Sequence, residues 1–381
     1  AAAGSADEAE LAFCPTRRAA RLRKVAVGSS WRASVCGVYA ITGGLGGLGL
    51  RAAALLVERG AMSVVLASRG GRVARDDQGL EAHLRGLGAG AEVAACDSSD
   101  LSDVLSLAWR GQPLSGVLHA AGAGDKGLLV EVVARRVQWM YAPKAFGAWY
   151  LHSTTATLPL EARILYSSVG SGLGNVGQGN YAAGNACLDA LALSRRAHGV
   201  AACSLQWPLV GGAGMGAAAF ASIAEQRLTI TGMAGISLEQ YASCLAPQLA
   251  HCRGIALSVQ MAHRSDVREL LQDLADPLQL RFGELRAQGE SVKSTAVAAS
   301  VPGTVSEFAG VLATLAPSLR QAHIEAAVLR VVRELTGAGD AALEVETPLM
   351  EAGVDSLAAT ELSSRLCSLT GVALSSTIVF E

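Results

Sequence analysis

The sequence has no surplus of positive charge: 31 Lys and Arg stand against 33 Asp and Glu, for a net charge of −2 and a pI near 6.4. Proteins that coat nucleic acid need that surplus to displace counterions, so the class is excluded. It also lacks any run of 18 or more apolar residues, the length a helix needs to span a bilayer, although 51% of the chain is hydrophobic. With 17% charged residues and a mean hydropathy of +0.34, general disorder is excluded as well. The eight cysteines (14, 36, 96, 187, 203, 244, 252 and 367) form no CxxC and no regular spacing. They read as reduced thiols of an intracellular, cytoplasmic protein. Cys244, His251, Cys252 and His263 lie close in sequence but fit no zinc spacing, so no metal site is expected. No charged segment precedes an apolar one at the start, and AAAGSADEAE resembles a linker more than a signal peptide. Both ends are expected to continue in a longer protein.

What is present is length for two or three domains, 381 residues, and a repeated alternation. From Val38 to Val259, apolar runs of strand length (38–42, 63–67, 91–96, 116–120, 163–167, 201–206 and 254–259) alternate with helical patterns near 47–59, 79–87, 100–109, 128–152, 179–198 and 237–250. Short, largely apolar strands separated by helices predict an α/β fold, a doubly wound parallel sheet covered on both faces. The basic run Arg17, Arg18, Arg21, Arg23 and Lys24 predicts a solvated helix face. Residues 266–317 read as a linker, and the helical spacing of 318–337 with a second helix over 356–370 predicts a small all-α domain.

Directly after the first strand comes TGGLGGLG: Thr42, Gly43, Gly44, Leu45, Gly46, Gly47, Leu48 and Gly49. Glycines there let the backbone turn tightly and approach a pyrophosphate, which meets free N–H groups at the start of the next helix. The pattern is that of a Rossmann-type dinucleotide site. Where an Asp or Glu would hold an unphosphorylated ribose, at the end of the second strand, this chain has Ser68 and Arg69. A guanidinium suits a 2′-phosphate, so the reading favours NADPH. Asp97, at the end of the third strand, is placed to meet the adenine or to serve in a helix cap within CDSSD.

Ser168 follows the fifth strand, Tyr181 comes 13 residues later, Asn185 lies one helical turn beyond it, and Lys144 stands upstream in YAPKAFGAW. Tyr181 and Asn185 therefore share a helix face. A ketone that accepts hydride must gain a proton at its oxygen, and a tyrosine of pKa about 10 becomes a useful acid when a cation is near. Lys144 can supply the cation, Ser168 can hydrogen-bond the carbonyl, and Asn185 can hold a water or the lysine for proton relay.

These residues and the segments LASRGG, LHAAG, MYAPKAFGAWYLH, LYSSVG and GQGNYAAGNACLDALA resemble the catalytic half of the ketoreductases of modular polyketide synthases, a branch of the short-chain dehydrogenase/reductases. Animal-type fatty acid synthases carry a similar domain. Free-standing short-chain reductases place Lys four residues after the Tyr and an Asn upstream; this sequence exchanges the two, as the synthase-embedded branch does. The resemblance implies an oxidoreductase, within a multifunctional synthase of the acyltransferase kind, that reduces a β-ketoacyl thioester to the β-hydroxyacyl thioester with NADPH. It assigns catalysis to Tyr181, Ser168, Lys144 and Asn185, and cofactor contacts to the glycine loop, Ser68, Arg69, Asp97, Ala120, Ala121, Gly122, Lys144 and Tyr181. Two stereochemical cues are replaced: Gly124, Asp125 and Lys126 stand in the LDD-type stretch, and Leu173 stands where a Trp would mark the other class. QWPLVGGAGMG departs from the usual substrate-lid sequence.

TPLMEAGVDSLAATEL places Ser356 after Asp355 at a helix start and resembles an acyl carrier protein, whose serine receives a 4′-phosphopantetheine arm from a phosphopantetheinyl transferase. From Glu334 to Ser364 there are seven acidic residues and no Lys or Arg, a face that would steer toward basic patches on partner enzymes. The implied partners are neighbouring ketosynthase, acyltransferase and dehydratase domains. The implied division is 1–37 as a remnant of a structural subdomain or a linker, 38–265 as the NADPH-binding ketoreductase, 266–317 as linker and 318–381 as a carrier domain cut before its end. A fatty acid synthase segment, a catalytically silent scaffold for the carrier and a stand-alone dehydrogenase are the alternatives.

Overall fold

The computed structural model describes residues 11–14, 16–19, 22, 34–73, 78–124, 127, 132–174, 177–214, 216, 235–251, 259–262, 270–271, 278–287, 312, 315–336, 347–349, 354, 362–363, 365–366 and 369–370. The chain divides into two compact units, Lys24–Asp273 and, separately, Ala1–Arg23 with Leu274–Glu381. In the latter, β1 (Leu11–Cys14) and β2 (Thr16–Ala19) pair antiparallel. Arg17 and Arg18 therefore lie on a strand opposite Phe13 and Ala12, not on the expected helix face. Pairing with the β-prone LAFC run, not local charge spacing, sets their backbone. Arg21, Arg23 and Lys24 lie outside the described residues.

The larger unit is built on seven parallel strands in the order β5-β4-β3-β6-β7-β8-β9. They are β3 (Val38–Thr42), β4 (Ser63–Ser68), β5 (Ala91–Ala95), β6 (Leu114–His119), β7 (Ala162–Ser168), β8 (Cys203–Trp207) and β9 (Val259–Met261). The order runs outward from β3 in both directions, so β3 and β6 flank the crevice of a doubly wound sheet. Strand alternation splits the apolar residues between the faces. Tyr39 and Ile41 of β3 and Val64 and Leu66 of β4 enter one core, packed with α1 (Gly47–Glu58); Val38, Ala40, Val65 and Ala67 enter the other. That second core is closed by α3 (Leu101–Ala108), which follows α2 (Leu80–Gly86) in the chain, and by α5 (Gly147–Thr154), which follows α4 (Ala134–Tyr141).

Two expectations need correction, and a third lies mostly outside the described residues. β5 is an edge strand with Val93 38% exposed, so it is not covered on both faces. The helix expected over 128–152 is broken: α4 ends at Tyr141, a π-turn occupies Ala142–Phe146, and α5 follows. Pro143 has no N–H and its ring crowds the carbonyl four residues back, so the ladder widens, and Gly147 N–H bonds Ala142 O five residues away. The last described strand begins at Val259, while 254–258 lie outside the described residues.

After β7 come the short α6 (Val169–Leu173) and the long α7 (Gly179–Ala197); α8 (Leu238–His251) packs Tyr241, Leu245 and Leu249 into the first core. In the other unit, α9 (Pro317–Thr336) brings Val331 and Val332 against Val354, Leu362 and Leu366. Much of the expected 266–317 linker lies outside the described residues. Among the described residues no helix is long and apolar enough to cross a membrane, and no cluster of three His, Cys, Asp or Glu could hold a metal ion. Cys252 and His263 lie outside them.

Candidate active site

The glycine loop turns at the carboxyl end of β3 and enters α1 with no side-chain cap on its first N–H groups. Gly43 has φ +66°, and a Cβ there would lie 2.7 Å from Ala120 O. A Cβ on Gly47 would lie 2.6 Å from the Ala213 backbone. The loop is thus a shallow cradle, floored by Ala120–Gly122 after β6, that side chains would fill. Uncapped helix N–H groups facing a side-chain-free cradle fit a bound pyrophosphate. Arg69 is exposed at the turn after β4 with no described partner, beside exposed Arg72, whose carbonyl accepts from the Ser68 hydroxyl at 3.4 Å. Asp97 does not cap α3. Its carboxylate closes a turn on Ser99 N at 2.9 Å and Ser99 Oγ at 2.7 Å, and Asp100 caps the helix by accepting from Ser102 N at 2.8 Å.

Next to this cradle the structure brings Lys144, Ser168, Tyr181 and Asn185 together. Ser168 ends β7, and its Oγ accepts from Gly170 N at 3.2 Å, capping α6. Tyr181 and Asn185 lie on α7, and the buried Asn185 donates through Nδ2 to Tyr181 O at 2.8 Å. Its Oδ1 is buried without a hydrogen-bond partner. A buried orphan acceptor costs free energy, so this atom fits a water or an ammonium. Lys144, on the π-turn, donates from Nζ to Tyr166 O at 3.0 Å and lies 5.5 Å from the Tyr181 ring centroid. A Cβ on Gly122 would meet Lys144 Cε at 2.8 Å, so the end of the lysine would have to shift to admit one.

Electrostatics follow from burial. Desolvation holds the Lys144 ammonium down to about 8, and the Asp189 charge opposes that fall. Burial pushes the Tyr181 phenol up, while hydrogen bonds with Ser168 and Asn185 pull it back. The relief thus comes from these two side chains; the Lys144 charge sits over the ring, in cation–π range.

His119, at the end of β6, was not among the residues the sequence pointed to. Its Nε2 lies 3.0 Å from Lys144 O, and a carbonyl can only accept, so Nε2 donates. Nδ1 then accepts from Thr42 Oγ1 at 2.7 Å, and burial holds the imidazole at about 4, hence neutral. One side chain thereby fixes the start of the glycine loop to the backbone of the lysine-bearing turn. Gln78 was missed as well: its amide bonds Gly214 N at 2.8 Å and Gly214 O at 3.4 Å, clamping the segment that roofs Gly47. Neither has a local motif, because both act across more than 75 residues of sequence. Asp125, Lys126, Asp355 and Ser356 lie outside the described residues.

Residues 37–212 match the family model described as the KR domain, and residues 326–381 that of the phosphopantetheine attachment site. Over 352 residues, 91% of this chain, the sequence is 36% identical to the spectinabilin polyketide synthase system protein NorB of Streptomyces orinoci, 16% of which is covered. Mycoketide-CoA synthase of Mycobacterium tuberculosis is 35% identical over 92% of this chain and 8% of its own length. Among solved structures, A-type ketoreductases from a modular polyketide synthase align with a TM-score of 0.62 and 31% identity, over 74% of this chain and 60% of theirs. The chain spans about a sixth or less of the length of these two curated relatives. With a seven-stranded doubly wound sheet beneath a glycine cradle, and both family matches in one sequence, the chain belongs to the polyketide synthases as a KR domain joined to a phosphopantetheine-attachment domain.

Proposed function

We propose that the chain reduces a carrier-bound β-ketoacyl thioester to the β-hydroxyacyl thioester with NADPH, and that Ser356 carries the acyl chain on 4′-phosphopantetheine. The observation that supports this most is the meeting of Lys144, Ser168, Tyr181 and Asn185 at the carboxyl end of the sheet, beside the Gly43–Gly49 cradle. Ligands of doubly wound sheets bind at that end, in the crevice where strand order reverses.

In this reading Gly43, Gly47 and the first N–H groups of α1 hold the pyrophosphate, Ala120–Gly122 line the crevice, and Arg69 with Arg72 meets the 2′-phosphate. The nicotinamide, when bound, supplies the hydride taken up by the β-carbon. Ser168 donates to the β-carbonyl oxygen and Tyr181 gives it a proton, so carbon gains the hydride and oxygen the proton. The phenolate left behind is relieved by the hydrogen bonds of Ser168 and Asn185, and Lys144 with an Asn185-held water returns the proton. The polyketide reading is favoured over the fatty acid one by the relatives matched. Stand-alone action on a free metabolite is disfavoured by the exchanged Lys and Asn and by the attached carrier family.

The test is the loss of NADPH absorbance when the full chain meets a β-ketoacyl N-acetylcysteamine thioester, with NADH in parallel. Turnover with NADPH supports the reading. NADPH binding without turnover would leave a scaffold, and turnover equal with NADH would remove Arg69 from its role.

A further inference from the structure

Asp189 lies eight residues after Tyr181 on α7, on the helix face that carries Tyr181 and Asn185. Its side chain is buried, 9% exposed, yet its Oδ1 accepts from Ser204 Oγ at 2.6 Å and its Oδ2 from Gln206 Nε2 at 2.8 Å and Ser171 Oγ at 2.7 Å. Ser204 and Gln206 belong to β8, and Ser171 to α6, the turn that Ser168 opens. Ser171 Oγ also lies 2.7 Å from Ser168 O and 3.2 Å from Ser167 Oγ. One carboxylate therefore ties the turn bearing Ser168 and the inner strand β8 to the helix bearing Tyr181 and Asn185.

All three donors are neutral, and no described cation lies in ion-pair contact with Asp189. A buried negative charge without a contacting partner acts at a distance through a low dielectric. Around Lys144, β6 contributes neutral His119, β7 contributes Tyr166 with its phenol turned to Tyr241 and Arg163 turned to Thr155, and α4 contributes Tyr141. From α7 come Tyr181, Cys187 and Asp189. Asp189 is the one acid in that set. Burial lowers Lys144 to about 8, and the charge of Asp189 is what opposes it.

We propose that Asp189 is a positioning residue of the reduction site: its carboxylate anchors the Ser168 turn to α7 and keeps the buried Lys144 ammonium charged. The proposal rests on the reduction reading of the site. The three donors call for an acceptor-only group, since an amide of the same volume would turn its NH2 toward at least one of them.

The chain has four lysines, at 24, 126, 144 and 293, so Lys144 can be followed by NMR of the full chain labelled with 13C-lysine and assigned with Lys144→Met. In Asp189→Asn the Lys144 titration midpoint is expected to fall by about one pH unit. The alkaline limb of thioester reduction should move down with it, kcat should drop roughly tenfold or more, and the NADPH dissociation constant should stay within about twofold. Ser171→Ala, which unties the turn but keeps the charge, should lower kcat and leave the Lys144 midpoint in place. Asp189→Ser, smaller and uncharged, gives the same reading if the Asn variant does not fold. An unmoved Lys144 midpoint in a folded uncharged variant overturns the proposal, as does failure of both variants to fold, which makes Asp189 a packing residue. If the parent chain consumes no NADPH with the thioester, the reduction reading fails, while the Lys144 titration still decides whether Asp189 sets its charge.

Discussion

Lys144 is a cation held where water hardly reaches, 4% exposed, and that position has a stability consequence. Its midpoint falls from an ordinary 10.5 to about 8 through burial, so between these values the unfolded chain keeps a proton that the folded chain has lost. Stability therefore rises with pH across that window, and below it the full penalty applies, on the order of 3 kcal/mol. Loss of the bond to Tyr166 O offsets about 1 kcal/mol of the gain from removing the amine. Lys144→Met is expected to end reduction yet raise Tm by a few degrees at pH 7, a gain that fades by pH 10; melts at both pH values check it, and a Tm that falls at pH 7 would contradict it. Tyr181→Phe keeps the ring under Lys144 but has no proton to give, so reduction should fall by about two to four decades with NADPH binding nearly intact in a fluorescence titration. Arg69→Ala should narrow the preference for NADPH over NADH by roughly one to two decades, read from titrations with both cofactors. At this scale the sequence was legible where spacing carries the chemistry, as from Ser168 through Tyr181 to Asn185 and in the exchanged lysine. It was silent on His119, Gln78 and Asp189, whose partners meet them through the fold and leave no local pattern.

The elements were legible where burial is two-sided and fell short where it is not. β3, β4 and β7 read as short apolar runs because helices cover both of their faces; β5 read the same way but is an edge, since strand order is not written in a strand's own composition. The interruption between α4 and α5 was marked by Pro143, yet the helical period on either side hid it. That interruption matters for the site. Lys144 O takes the Gly147 N–H at the end of the π-turn and, with its second lone pair, the bond from His119 Nε2 at 3.0 Å. The loop between β3 and α1 is as constrained as the turn. With φ +66° at Gly43 and Ala120 O 2.7 Å from a Cβ, Gly43→Ala meets both a disfavoured backbone and a backbone clash. It should destabilise the larger unit by about 1–3 kcal/mol in a denaturant titration and weaken NADPH binding at least tenfold. Gly86→Ala, at a helical position with nothing within 4 Å of a Cβ, is the control and should do neither. Equal behaviour of the two variants would mean that the cradle is not set by the glycine.

At the scale of the whole chain, a reductase holding its product on a tethered arm works at a local concentration set by the tether, not by diffusion between proteins. That advantage requires the arm, which the proposed function places on Ser356. On either side of it in sequence, Val354 and Leu362 are buried, 1% and 2% exposed, against Val331 and Val332 of α9. Transfer from coenzyme A joins the Ser356 hydroxyl oxygen to phosphorus, breaks the pyrophosphate bond and releases adenosine 3′,5′-bisphosphate. The expected outcome is that a broad-specificity phosphopantetheinyl transferase adds one phosphopantetheine mass to the chain, and none to Ser356→Ala. Loading from acetoacetyl coenzyme A should then give a chain that oxidises NADPH in a single turnover. If the tether delivers the arm to the crevice of the same chain, the rate of that turnover does not change on tenfold dilution. A rate that falls in proportion to dilution would mean delivery between chains, and a modified Ser356→Ala would move the attachment site elsewhere. Ser102, the exposed serine at the start of α3, serves as the control, since Ser102→Ala should load as the parent does.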